Sequence, residues 1–263
     1  MKEGDTMNIL KEKLKSGKKL AGAHVELNDP AITELMSNLS YDFLWIDTEH
    51  TAIDYGTLQY HLIAARAGGT PAIVRIPWND PILVKRVLEQ GPHGIVFPMI
   101  NNAEEANAAM DACLYPPLWH RGLGPIRAIQ WNNIDINDYI ANGHKEVCRF
   151  IQLESEQAVN NLEEILQNPY IDGLIIGACD MSGSINELNH VFCDRNLELI
   201  DRAIAIARQH KVPIGISTGA TDYGTIKFWN DKGLDILSCG MDFDYILKGA
   251  KKTLEAIREI QQQ

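Results

Sequence analysis

A chain of 263 residues with 45% hydrophobic content can bury one large core, and 35 acidic against 24 basic residues (net −11) argue against a nucleic-acid partner, whose phosphates require a basic surface. No run approaches the roughly 20 apolar residues that cross a bilayer, and the stretch MKEGDTMNILKEKLKSGKKL lacks the apolar segment of a secretory signal, so a cytoplasmic protein with no membrane partner is expected. Five cysteines, at 113, 148, 179, 193 and 239, have neither CxxC nor zinc-finger spacing and read as reduced thiols.

In chain order, short apolar runs predict strands at 20–25, 43–47, 72–75, 94–98, 149–153, 173–176, 213–217 and 235–239. Helical patterns separate them. Asp29-Pro30 opens one and Asp80-Pro81 another, each with a capping side chain followed by a proline suited to the first turn, and a long pattern covers 196–210. Strands that are apolar throughout and alternate with helices indicate a parallel sheet covered on its outer face. Eight repeats predict an α/β fold closed into a (β/α)8 TIM barrel, and no Pro/Gly/Ser linker divides the chain, so residues 1–263 form one domain. The long excursion 101–148 contains YPPLWHRGLGPIRA, a Gly/Pro-rich loop expected over the barrel mouth.

Chemistry in such barrels gathers where strands end. The fifth strand runs out to Gln152 and Glu154 and the sixth to Asp180, so two carboxylates on adjacent strands can share a divalent ion, with Mg²⁺ or Mn²⁺ favoured by hard oxygen ligands. The second strand delivers Asp47, Glu49 and His50, the third Arg75, and the turn Gly177-Ala178-Cys179-Asp180, with Ser182 beyond it, can present backbone N–H groups to a carboxylate. A metal pair, a guanidinium and an acid/base group suit enolate chemistry. No lysine ends a strand, which disfavours a Schiff-base route.

Ordinary readings compete. A strand-end carboxylate is often a helix cap, a lone histidine such as His24 is more often structural than catalytic, and Cys179 can be a small buried hydrophobe.

The segments Tyr41-Asp42-Phe43-Leu44-Trp45-Ile46-Asp47-Thr48-Glu49-His50, Val74-Arg75-Ile76-Pro77-Trp78-Asn79-Asp80, Tyr115-Pro116-Pro117 with Arg121-Gly122-Leu123-Gly124, Ile151-Gln152-Leu153-Glu154 and Gly177-Ala178-Cys179-Asp180-Met181-Ser182 together resemble the class II pyruvate aldolases of the HpcH/HpaI (2,4-dihydroxyhept-2-ene-1,7-dioate aldolase) type. The resemblance implies a barrel of the phosphoenolpyruvate/pyruvate type. Its activity would be reversible cleavage of a 4-hydroxy-2-oxo acid to pyruvate and an aldehyde. It further implies that Glu154 and Asp180 bind the divalent metal (Mg²⁺ or Mn²⁺, with Co²⁺ or Zn²⁺ as alternatives), that Arg75 and Gln152 contact the pyruvyl oxygens, and that Asp47 with His50 forms the acid/base centre. A homo-oligomer, hexameric with the last helix exchanged between subunits, is implied as well. Departures from the family pattern fall at Ala178-Cys179, at Trp119-His120, and at Glu89, which stands where the family places an aspartate supporting the histidine. A CoA-ester lyase of the citrate-lyase β-subunit type, a phosphate-binding barrel isomerase and a non-catalytic metal-binding barrel remain as alternatives.

Overall fold

The structure, a computed structural model, describes residues 8–262; the signal-sequence reading of residues 1–7 lies outside them. In chain order its elements are α1 (Ile9–Lys15), β1 (Leu20–Val25), α2 (Pro30–Ser37), β2 (Phe43–Asp47), α3 (Tyr55–Ala67), β3 (Ala72–Arg75), α4 (Pro81–Leu88), β4 (Gly94–Phe97), α5 (Ala103–Asp111) and α6 (Ile136–Glu146). There follow β5 (Cys148–Leu153), α7 (Glu156–Asn160), α8 (Leu162–Ile165), β6 (Gly173–Ile176), α9 (Ala178–Ser184), α10 (Asp194–His210), β7 (Ile214–Thr218), α11 (Tyr223–Asp231), β8 (Ile236–Met241) and α12 (Asp242–Gln261). The strands are all parallel and close in sequence order, β8 pairing with β1, so the predicted (β/α)8 barrel is the fold.

Alternation along the strands divides the apolar residues between two cores. Ala23, Leu44, Ile46, Val74, Ile151 and Leu174 face the helices, which bury their own apolar stripes against them. Phe43, Trp45, Ile73, Val96, Phe150, Ile175 and Ile236 fill the barrel interior. The filling is tight: a Cβ on Gly22 would stand 2.2 Å from the Phe43 ring.

Helix α1 is not expected from the sequence. Residues 9–15, which read only as charged, form α1, and its Leu10 and Leu14 plug the amino-terminal end of the barrel against the interior core. Asn8 caps α1 by accepting from the Leu10 and Lys11 N–H groups, and its amide donates to the His93 and Glu146 carbonyls, which ties the plug to the barrel rim.

The excursion after β4 corrects a second expectation. Helix α5 runs back along the barrel, so residues 112–135 start at the amino-terminal face, not at the mouth. There the Ala128 N–H donates to the Glu89 carbonyl (3.0 Å) and Arg127 donates to that of Gln90, just beyond the end of α4. Trp119, His120 and Arg121 lie on the outer flank of α4 beside Pro81, Ile82 and Lys85.

Helix α12 has the amphipathic pattern of a packed helix, yet only Asp242 is buried, and Ile246, Leu254, Ile257 and Ile260 are 46–71% exposed. Among the described residues, no helix is long and apolar enough to cross a membrane, and no disulfide joins the five cysteines.

Candidate active site

The carboxyl ends of β2 and β3 are in register, Asp47 opposite Arg75, and their side chains form a buried ion pair. Arg75 Nε donates to Asp47 Oδ1 (2.9 Å) and Nη2 to Oδ2 (2.5 Å), the two-pronged geometry in which a guanidinium matches a carboxylate. Its third nitrogen, Nη1, lies 2.9 Å from Glu49 Oε2, out of line for a hydrogen bond, and its Cζ sits 5.5 Å from the Trp45 ring centre. Burial works against the Asp47 carboxylate, but the Arg75 guanidinium outweighs it and holds the pKa below the ordinary value. Burial also opposes the charge on Arg75, and Asp47 and Glu49 more than restore it. The cation is therefore fixed before any substrate arrives.

Beside it, β5 presents a second acidic group. Glu154 Oε1 accepts from Gln152 Nε2 (2.7 Å), and Oε2 accepts from the Met99 N–H (2.7 Å). The arrangement requires a glycine on the neighbouring strand: a Cβ on Gly177 would stand 2.8 Å from Glu154 Cγ and 3.0 Å from Gln152 Nε2. Burial pushes the Glu154 pKa up to about 7, and the charges of Glu49 and Asp180 push the same way. Glu49 is raised to about 7 as well, by burial and by Asp47 and Asp180. Glu49 and Glu154 are thus held in a poorly hydrated space with the charge of the more exposed Asp180 beside them, and Glu49 Oε2 and Gln152 Oε1 are buried without a hydrogen-bond partner. A divalent cation fits this donor set, since it would neutralise the repulsion with hard oxygen ligands. Among the described residues no three His, Cys, Asp or Glu side chains are grouped so as to hold a metal ion by themselves.

The mouth opens into a cavity of about 280 Å³ lined by Asp47, His50, Arg75, Gln152, Ala178, Cys179 and Asp180 among others. Most of the residues singled out from sequence are therefore brought together, with three corrections. Asp47 is spent on Arg75 and does not hold His50; the His50 ring is well exposed, with Nε2 3.7 Å from Glu49 Oε2. Ser182 is fully buried, and its hydroxyl donates to the Cys179 carbonyl (2.7 Å), so it turns into its own helix and away from the cavity. Glu89 caps the far end of α4, at the opposite face of the barrel from His50. Among the described residues no lysine lines the cavity.

Glu26 and Ser217 are polar groups of the cavity that the sequence does not single out, while Glu49 is expected at the rim without a stated role and His24 is expected to be structural. The inward direction of His24, Glu26 and Ser217 follows from the same two-residue alternation that points Asp47 and Gln152 inward.

His24 is 2% exposed and stacked on Trp45 (5.2 Å between centroids, 13° between planes). Burial, then the Arg75 charge, lowers its pKa to about 4, and burial with Arg66 and Arg127 does the same to His93. The unfolded chain therefore binds protons that the folded chain refuses, so stability is complete above about pH 6.5 and is lost as pH falls toward 4, by at most about 3 kcal/mol per histidine. In urea melts between pH 7 and 4.5, His24→Phe should lose less stability than wild type; an identical decline in both would refute the assignment.

Comparison with known proteins agrees with this geometry. The family model for "HpcH/HpaI aldolase/citrate lyase" matches residues 20–246. The chain is 33% identical over 247 residues to a hydroxypyruvate/pyruvate aldolase of Roseovarius nubinhibens, covering 94% of this chain and 95% of that one. It is 31% identical over 246 residues to a 4-hydroxy-2-oxo-heptane-1,7-dioate aldolase of Klebsiella pneumoniae, covering 93% and 91%. A solved structure of an HpcH/HpaI aldolase/citrate lyase family protein from Burkholderia cenocepacia superposes with a TM-score of 0.89 at 27% identity, covering 96% of this chain and all of that one. With its barrel closed in sequence order and its rim of carboxylates around a fixed arginine, the chain belongs to the HpcH/HpaI aldolase/citrate lyase family.

Proposed function

We propose that the chain is a divalent-metal-dependent aldolase that reversibly cleaves a 4-hydroxy-2-oxo acid to pyruvate and an aldehyde. The observation that carries this reading is a preset cation, Arg75, 2.9 Å from Glu49 and within reach of the Glu154 charge, at a cavity that Arg75 and Asp180 both line. Relatives whose names specify 2-oxo acid aldolases support the same substrate class.

Glu154 and Asp180 hold the ion, Mg²⁺ or Mn²⁺ by preference of the oxygen set. When bound, it supplies Lewis-acid polarisation of the 2-oxo acid. Arg75, held in place by Asp47 and Trp45, turns its remaining donors to the substrate's carboxylate and 2-oxo oxygen and stabilises negative charge as it develops there. Gln152, whose Oε1 has no partner within the protein, lines the same space. Ala178 and Cys179 form its wall at the start of α9. His50, at the open edge of the cavity, takes the proton of the C4 hydroxyl. The C3–C4 bond breaks, its electron pair forms the pyruvate enolate, and the aldehyde leaves. Return of that proton to C3 completes pyruvate, so the reaction as a whole neither gains nor loses a proton.

The reading includes a cytoplasmic homo-oligomer, hexameric by the family resemblance, in which the exposed apolar stripe of α12 packs on another copy. A CoA ester is the weaker reading, since the basic groups of the cavity are Arg75, His24 and His50, with no groove of lysines and arginines for nucleotide phosphates.

The test is a cleavage screen of 4-hydroxy-2-oxo acids with Mg²⁺, Mn²⁺, Co²⁺ or Zn²⁺, monitoring pyruvate; none formed with any metal would sink the reading. In the same assay His50→Ala should lose about 10²–10⁴-fold in turnover while Mn²⁺ affinity stays near wild type. Lost Mn²⁺ affinity would make His50 a ligand instead.

A further inference from the structure

Directly beneath the rim, the barrel interior is polar on one side. Below this level its filling is Phe43, Trp45, Ile73, Val96, Phe150, Ile175 and Ile236, but β1, β7 and β8 place His24, Ser217 and Ser238 together between that apolar filling and the mouth. Polar side chains inside a barrel are costly unless each finds a partner. The His24 Nε2 atom has several: Ser238 Oγ at 2.9 Å, the Ser238 carbonyl oxygen at 3.3 Å and Ser217 Oγ at 3.4 Å. The other nitrogen, Nδ1, has no hydrogen-bond partner among the described residues. His24 lines the cavity together with Ser217 and Arg75, so what little access the ring has is into the substrate space. Stacking on Trp45 fixes the ring plane.

The chemistry of this group is specific. Burial and the nearby Arg75 keep the imidazole neutral, so it is a poor site for a carboxylate, and Glu26, two residues further along the same face of β1, adds negative charge to that side. The two serine hydroxyls can turn to donate to Nε2 or accept from it, so Nδ1 can present either a proton or a lone pair. A hydroxyl, which is both donor and acceptor, complements such a group. An alkyl group seated there would cover Nδ1 without pairing it, and a polar atom buried without a partner is what lets a site reject an analogue lacking the hydroxyl.

We propose that His24, backed by Ser217 and Ser238, is a specificity-determining residue that reads a substrate hydroxyl other than the one on C4, so that the favoured substrates join hydroxylated components instead of alkyl or dicarboxylate ones. This rests on the aldolase reading. The hydroxyl can come from either component, the 2-oxo acid or the aldehyde, and the two sources are separable by experiment.

With Mn²⁺-loaded protein, kcat/KM is measured in the condensing direction for hydroxypyruvate against pyruvate with one common aldehyde. It is then measured for glycolaldehyde against acetaldehyde with pyruvate. Wild type should prefer the hydroxylated compound at least about tenfold in one of the two arms, and that arm identifies the source. His24→Phe, which keeps the stack on Trp45, should bring the ratio in that arm close to one, and Ser217→Ala should lower it less. No preference in either arm, or a ratio unchanged in both variants, overturns the proposal while leaving the aldolase reading intact. Proton exchange at C3 of pyruvate separates the two: if wild type does not exchange that proton, the aldolase reading fails and this inference falls with it.

Discussion

Glu154→Gln is expected to remove turnover and C3 proton exchange almost completely, by a factor of at least about 10³, since several kcal/mol of polarisation depend on the ion it holds. The same substitution should stabilise the metal-free fold. A carboxyl raised by burial and by Glu49 and Asp180 to about 7 costs stability as pH rises from its ordinary range through 7, because the folded chain then gives up a proton less readily than the unfolded one. Metal-free wild type should therefore weaken over that interval, and Glu154→Gln should weaken less, by up to about 3 kcal/mol at pH 8. Added Mn²⁺ should reverse the order, stabilising wild type and leaving the variant unmoved. Asp180→Asn, at an exposed position, should lose activity with little change in the fold. Denaturant melts with and without Mn²⁺, beside the pyruvate assay, read both effects. A Glu154→Gln protein that still turns over, or that gains as much stability from Mn²⁺ as wild type, would remove Glu154 from the metal site.

The second large effect is expected at Arg75. Arg75→Lys keeps a positive charge but cannot satisfy both oxygens of Asp47 and still offer donors to a substrate, because a single ammonium lacks the planar fork. Exchange at pyruvate C3 should fall by about 10²–10³-fold, the range seen when one aimed donor is lost at a developing anion. Arg75→Ala should behave differently: it strands the fully buried Asp47 without its partner and should cost about 3–5 kcal/mol of stability. Pairing it with Asp47→Asn should recover much of that stability without recovering activity. If Arg75→Lys exchanged at the wild-type rate, the arginine would be a structural anchor only.

The strands, their order and the two acidic residues at the ends of β5 and β6 were legible because each depends on local pattern. Eight apolar runs of strand length, separated by capped helices, allow few arrangements other than a closed parallel barrel. Strand ends in such a barrel converge whatever the details of packing, which is why Asp47, Arg75, Gln152 and Asp180 line one cavity. Helix α1 was missed because its apolar pair, Leu10 and Leu14, is short and surrounded by lysines, and only the open end of a barrel gives that pair something to cover. The Gly/Pro-rich loop 115–128 is expected over the mouth because glycine and proline mark a turn without marking its position; the direction of α5 makes it start from the amino-terminal face, and Trp119–Arg121 lie on the flank of α4, outside the cavity lining.

By itself, then, the sequence determined the elements, their parallel closure and the residue types at the rim, since period and capping act over a few neighbouring residues. Only the tertiary structure decided who pairs with whom. Asp47 stands three residues from His50 in sequence but in register with Arg75 across the sheet, and in a buried site the full charge of a guanidinium in two-pronged contact binds a carboxylate more strongly than an exposed imidazole does. The polar layer of His24, Ser217 and Ser238 is likewise invisible along the chain. Its members are spread over more than 200 residues and meet because β8 closes on β1.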